Sequence, residues 1–134
     1  MNEQGILGID FGIKNVGLAV AYLPDGIPDP LKTVPLKTIW QEIEKLIKNY
    51  GIIRIVIGFP LRSDGKEDKI MMEVKNFVGQ VKNKFNLPVI LWDERFTTQG
   101  AEEILKTNQG RRKKHIDHYS AALILEEYFA SLPS

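Results

Sequence analysis

The chain has 134 residues, room for one domain of the usual size, roughly 100–200 residues. It is 43% hydrophobic and 26% charged, which excludes collagen-like, disordered and coiled-coil chains. Lys and Arg number 18 against 17 Asp and Glu, a net charge of +1, so any basic footprint for a polyanion must be local. Cysteine is absent, and with it disulfides, zinc–thiolate sites, iron–sulfur clusters and thiol nucleophiles. No charged segment leads into an apolar one at the N-terminus. The most apolar run, Ile52–Leu61, is broken by Arg54 and too short to span a bilayer. A cytoplasmic protein without membrane attachment is expected.

The first third reads as strands. Ile6–Phe11 is apolar apart from Asp10, and Val16–Leu23 is apolar and β-branched. Gly12-Ile13-Lys14-Asn15 between them is short enough to close a hairpin. The Pro24–Pro30 stretch reads as a connection, and Leu31–Thr38 as a third strand that Pro35 assigns to a sheet edge. The period then changes. Ile39, Trp40, Ile43, Leu46, Ile47 and Tyr50 recur at helical spacing, and Gly51 ends the run. Ile52–Phe59 has the continuous apolar character of a central parallel strand. Asp64 and Glu67 have the spacing of a capping box, ahead of an amphipathic helix marked by Ile70, Met71, Val74, Phe77, Val78, Val81 and Phe85. Leu87–Trp92 is another buried strand. Thr97 or Thr98 caps a short helix to Lys106, and a last helix runs from about Ile116 to Leu132.

The resulting order, β-β-β-α-β-α-β-α-α, implies a single α/β domain over residues 1–134, a mixed five-stranded sheet with helices on both faces. Three acids stand out against it. Asp10 interrupts an apolar strand, and alternation puts it on one face with Gly8, opposite Leu7, Ile9 and Phe11. A buried carboxylate must be neutralised, paired or bound to a metal, and the small Gly8 and Gly12 predict open space around this one. Asp93-Glu94-Arg95 ends the last strand, where open α/β sheets place active groups. Both parities there are apolar, so alternation leaves Asp93 and Glu94 as alternatives. Asp117 opens the last helix, and Ser120, Ala121 and Ile124 follow it as a small apolar stripe suited to packing on the sheet.

Each acid alone also has an ordinary reading: a turn-capping Asp10, a polar loop at 93–95 with Arg95 paired to an acid, and a helix-start Asp117. Together they would repel one another unless a cation lay between them. Hard oxygen ligands without Cys select Mg²⁺ or Mn²⁺, and such clusters commonly hold two ions about 3.5–4 Å apart for phosphodiester hydrolysis.

The order of motifs is similar to that of the YqgF family, ribonuclease H-like candidate Holliday junction resolvases also described as pre-16S rRNA 5′-end nucleases. Gly8-Ile9-Asp10-Phe11-Gly12-Ile13-Lys14-Asn15-Val16-Gly17-Leu18-Ala19 resembles its first motif. Gly58-Phe59-Pro60-Leu61 with Asp64-Gly65 resembles the second, and Asp93-Glu94-Arg95-Phe96-Thr97-Thr98 with Ala101-Glu102 the third. Ile116-Asp117, Ser120-Ala121-Ala122 and Ile124-Leu125-Glu126 resemble the fourth. The chain departs at Asn15, where Arg is usual, at Ala21-Tyr22 in place of Ser-Asp, and at Phe96 in place of Leu. The resemblance implies a ribonuclease H-like fold and carries catalytic, metal-binding roles to Asp10, Glu94 and Asp117. Since the Ile52–Phe59 strand ends in Gly-Phe-Pro, the second acid must reach from the strand beyond, which favours the longer Glu94 over Asp93.

Between Lys106 and His115 lie Lys106, Arg111, Arg112, Lys113 and Lys114 and no acid. Cations bunched before Asp117 suit phosphate contacts, as do Lys14 and Arg95; a solvated loop is the alternative. His115 and His118 are further candidates near the site, while Trp40 and Trp92 are expected to fill core. The reading is a metal-dependent nuclease acting on structured RNA or branched DNA, as a monomer or, for junctions, a homodimer. Its rivals are a non-catalytic nucleic-acid or ribosome-assembly module on the same fold and one lobe of an actin- or Hsp70-like ATPase. The ATPase needs two lobes, and this length holds one.

Overall fold

A computed structural model describes residues 4–59, 67–93 and 116–133. The strands are β1 (Gly5–Asp10), β2 (Asn15–Tyr22), β3 (Asp29–Pro35), β4 (Ile52–Phe59) and β5 (Val89–Asp93). The helices are α1 (Ile39–Tyr50), α2 (Glu67–Phe85) and α3 (Ile116–Ser131). The five strands form one mixed sheet in the order β3-β2-β1-β4-β5. β2 is antiparallel to β1 and β3; β4 runs parallel to both β1 and β5.

The local chemistry accounts for these elements. Gly12 makes the β1–β2 turn possible, since a Cβ there would collide with the Asn15 carbonyl. Leu36 N–H donates to the Lys14 carbonyl at 2.8 Å, tying that turn to the end of β3. β3 begins earlier than the sequence predicts: Asp29 and Pro30 belong to it, and Leu36–Thr38 form a 3₁₀ turn. The edge position explains this, because an edge strand tolerates prolines that cannot donate to a ladder, and the β2 register shifts where Pro30 enters. Helix α1 ends as expected, with Gly51 left-handed at φ 58° and its N–H on the Ile47 carbonyl. The capping-box position Asp64 and the expected short helix from Thr97 or Thr98 to Lys106 lie outside the described residues.

Side-chain alternation divides the core in two. Leu7, Ile9, Phe11, Leu18, Ile55 and Ile57 face α1 and α2, which bury Ile39, Ile43 and Leu46, and Val74, Phe77 and Val81. At about 1.5–3 kcal/mol for each large aliphatic side chain removed from water, this is the larger source of stability. Trp40 seals its edge, stacked on Phe77 at 5.3 Å with the Lys84 ammonium over its ring. The Lys32–Glu42 ion pair, 2.7 Å, ties β3 to α1. On the other face Ile6, Ala19, Ala21 and Val56 pack against Ala121, Ile124, Leu125 and Tyr128 of α3. Tyr128 accepts a hydrogen bond from Arg54 at 2.6 Å and meets Trp92 edge-on. Both tryptophans therefore pack as core, as expected.

The approach of α3 to β1 is tight. A Cβ on Gly8 would lie 2.6 Å from Leu125 Cγ and 3.0 Å from the Ala121 carbonyl oxygen. Gly8→Ala should therefore destabilise the fold by about 1–3 kcal/mol, the range for overpacking a tight contact. Chemical denaturation of the variant beside the parent measures it; an unchanged midpoint would show that α3 can stand off from the sheet.

Candidate active site

The site is built around the last residue of β1. Asp10 pairs with Gly17 on one side and Gly58 on the other. Gly17 pairs in turn with Thr33, and Gly58 with Trp92. Thr33, Gly17, Asp10, Gly58 and Trp92 thus form one row across the sheet, near the C-terminal ends of its parallel strands. Residues paired in a row share a face, here the face covered by α3.

Asp10 is only 8% exposed. Its paired neighbours on both adjoining strands, Gly17 and Gly58, lack side chains. The sequence predicts open space at Gly8 and Gly12, and the structure corrects this. Leu125 and Ala121 crowd Gly8, and Gly12 lies against Asn15. The glycines that flank Asp10 sit on other strands, so only the pairing register identifies them. The backbone at Asp10 is held from both ends: the ladder continues with Phe11 N–H donating to the Gly58 carbonyl at 2.9 Å.

Helix α3 brings its N-terminal turn to this row. Ala121 and Leu125 lie over Gly8, two residues before Asp10 along β1. His118 Nδ1 and Thr33 Oγ1 are hydrogen-bonded at 3.0 Å, which pins the first turn of the helix at the β3 end of the row, two strands from Asp10. The expected stripe does face the sheet: Ser120 is 7% exposed, and Ala121 and Ile124 are fully buried. Asp117 belongs to that first turn by its backbone, and its side chain lies outside the described set.

At the far end of the row, Trp92 pairs with Gly58 and Asp93 with Phe59, one step beyond Asp10. β4 does separate β1 from β5, a span of about 9–10 Å at the usual strand spacing. Glu94, Arg95, Arg111, Arg112, Lys113, Lys114 and His115 lie outside the described residues. Lys14 is exposed in the turn after β1, at the same end of the sheet. Among the described residues no three His, Asp or Glu side chains form a cluster. His118, one of two histidines singled out in the sequence, is brought to the row. Thr33 was missed, and nothing in an edge strand of mixed polarity marks it.

Comparison with known proteins agrees with this architecture. The family model described as RuvX, Holliday junction resolvase, matches residues 4–131. A Shewanella denitrificans protein is 36% identical over 133 residues, covering 95% of this chain and 94% of its own. A Chloroflexus aggregans protein is 33% identical over 134 residues, covering 96% and 94%. Both carry the description "Putative pre-16S rRNA nuclease". Among solved structures, T. thermophilus RuvC in complex with a Holliday junction superposes with a TM-score of 0.53 at 15% identity, covering 95% of this chain and 94% of that one. Fowlpox virus resolvase, also with junction DNA, gives 0.52 at 15% identity, covering 97% and 99%. At that identity the likeness speaks for the fold, which is ribonuclease H-like. The family is settled by the sequence match along nearly the whole chain: the protein belongs to the RuvX family of Holliday junction resolvases.

Proposed function

We propose that this chain is a metal-dependent nuclease that hydrolyses phosphodiester bonds in structured nucleic acid, processing the 5′ end of precursor 16S rRNA, resolving Holliday junctions, or both. The observation that carries the reading is Asp10. It is a buried carboxylate on a strand end, flanked by two glycines, in the row whose β3 end is bonded to the first turn of α3 through Thr33 and His118. No membrane-spanning helix occurs among the described residues, and the reading places the protein in the cytoplasm.

Asp10 fits a hard divalent cation. It offers charged oxygen, and the residues paired with it on both sides, Gly17 and Gly58, add no side chain there. Asp10, Glu94 and Asp117 would hold Mg²⁺ or Mn²⁺, two ions in the full site. When bound, such ions lower the pKa of water and offset charge on the departing oxygen. The chain's own contribution is positional. The ladder at Phe11 and Gly58 fixes the Asp10 backbone, so its carboxylate reaches the substrate with little freedom left to lose. α3 supplies its dipole, positive at the N-terminus, on the side from which a phosphate would approach.

Lys14, Arg95, Arg111, Arg112, Lys113 and Lys114 are the proposed phosphate contacts. The last four belong to the segment between β5 and α3, which leaves Asp93, one residue past Trp92 of the row, and enters the helix at Ile116, two residues before His118. Cations on a segment tied at both ends to the site engage backbone phosphates and position the strand without reading sequence.

Two measurements follow. Asp10→Asn should retain the circular-dichroism spectrum of the parent and lose cleavage of four-way junctions and precursor rRNA; chelation should silence the parent until Mg²⁺ or Mn²⁺ is restored. Full activity of Asp10→Asn with Mg²⁺ present would sink the nuclease reading, and binding without cleavage by the parent would leave the non-catalytic module. Replacing Arg111, Arg112, Lys113 and Lys114 by Gln should weaken binding and flatten the dependence of log K on log salt by about 3–4, close to one ion released per lost phosphate contact. An unchanged slope would remove the loop from the interface.

A further inference from the structure

We infer that the cavity between the end of β1 and helices α1 and α2 is a binding site for a nucleobase, guanine foremost. The inference goes beyond the nuclease reading and uses no residue of the carboxylate site.

The cavity measures about 250 Å³. Part of its lining is aromatic, supplied by Phe11, Trp40 and Phe77. The Phe77 ring lies 5.0 Å from Phe11 and 5.3 Å from Trp40, centroid to centroid, with Trp40 stacked on it at 29°. These rings are packed into the larger core, so they are in place before any ligand arrives. The rest of the lining is chiefly polar. Glu73, Asn76 and Gln80 reach it from α2, three and then four residues apart, the spacing that puts side chains on one face of a helix. Among the described residues none of the three is held by a hydrogen bond or an ion pair.

The cavity's place in the fold is fixed by Phe11 and Leu36. Phe11 directly follows Asp10, and the two side chains fall on opposite faces of the sheet, so the cavity lies behind the strand end that holds the carboxylate. Leu36 also lines it, and the Leu36 N–H is bonded to the Lys14 carbonyl, which joins the Lys14 turn to the rim.

This lining selects its occupant. A hydrocarbon would leave three polar groups without partners. An anion would meet the Glu73 carboxylate, and a cation would meet Lys84, whose ammonium is 5.2 Å from the Trp40 centroid. A flat, uncharged ring with donors and acceptors in its own plane satisfies both halves of the lining, and a nucleobase is such a ring. The volume falls just below the roughly 300–1,000 Å³ of sites for drug-sized molecules, which suits one base with its sugar outside. Glu73 decides among the bases. A carboxylate only accepts, and guanine sets N1–H and N2–H side by side for it. Adenine and cytosine place a ring acceptor beside the amino group, and uracil has a lone N–H between two carbonyls. The turn bonded to Leu36 then offers Lys14 to the attached phosphate.

The test is a nuclear magnetic resonance titration of the whole chain in chelator, reading the Trp40 indole N–H and the Asn76 and Gln80 carboxamides. The ligands are GMP, AMP, CMP, UMP, ribose 5-phosphate, and short single strands with and without one guanine. GMP or the guanine-bearing strand should shift all three signals saturably, and more tightly than its counterparts. Glu73→Gln should weaken guanine binding about tenfold, the scale of a lost hydrogen bond to a charged group, and bring guanine level with adenine. Equal affinity for the four bases, equal shifts with ribose 5-phosphate, or no saturable shift with any ligand would overturn the site. Saturation by GMP identifies a free nucleotide as the source, and saturation by the strand alone identifies a base of bound nucleic acid. Nothing is cleaved in this experiment, so its failure leaves the nuclease reading untouched, and a failed cleavage assay leaves the base site standing.

Discussion

How closely α3 can lie on β1 decides almost everything at the active end of this molecule. Gly8 is the contact that sets the distance, because the Ala121 backbone and Leu125 occupy the space a side chain would need. With that separation fixed, Ala19 and Ala21 on β2 and Ala121 on the helix fit as small partners, and Ile124 and Leu125 reach the sheet without forcing it apart. The helix then has only one axial position consistent with both Leu125 over Gly8 and His118 on Thr33. Its first turn falls at the β3 end of the Asp10 row as a consequence. A larger residue at position 8 would lift the helix and carry its N-terminal turn away from the row. The packing of the smaller core and the assembly of the site are thus one constraint.

The larger core on the opposite face has a different role. It holds β1 and β4 side by side through Ile9, Ile55 and Ile57, which are entirely buried under α1 and α2. That pairing places Gly58 beside Asp10 and lets the ladder run one residue further, to Phe11. Aliphatic burial there is insensitive to what happens at the carboxylate. Substitutions at Asp10 can therefore be read as chemistry, whereas substitutions at Gly8 or Ala121 change the site by moving a helix.

Much of this was legible in the sequence, and the reasons differ from residue to residue. Helix α1 and strand β4 were readable to the residue, because hydrophobic period and the Gly51 terminator agree. Asp10 announced itself as a charge in an apolar strand, and the inward stripe of α3 as a run of small residues. The start of β3 was hidden because prolines look like connection, and only its place at the sheet edge makes Asp29 and Pro30 acceptable strand residues. The glycines that flank Asp10 were hidden for a deeper reason. Gly17 and Gly58 are brought beside it by strand pairing, and pairing register is a long-range property that local periodicity does not contain. The Thr33–His118 bond, spanning 85 residues of sequence, was beyond reach for the same reason.

The near-zero net charge has a physical counterpart in this arrangement. A site proposed to gather carboxylates on a strand end and then admit a polyanion faces repulsion twice, first among its own acids and then against phosphate. Topology brings the offsetting charge to the same place. The chain leaves β5 at Asp93, one step from the Asp10 row, and returns at Ile116 in the turn pinned at the β3 end of that row. Arg111, Arg112, Lys113 and Lys114 occupy the last part of that excursion. Whatever path its middle takes, a tether this close to Ile116 keeps those cations within a few residues' reach of the helix N-terminus, at no more than about 3.3–3.6 Å per residue. Positive charge held on a segment that adjoins the strand end and the helix start can draw in phosphate without being buried among the acids.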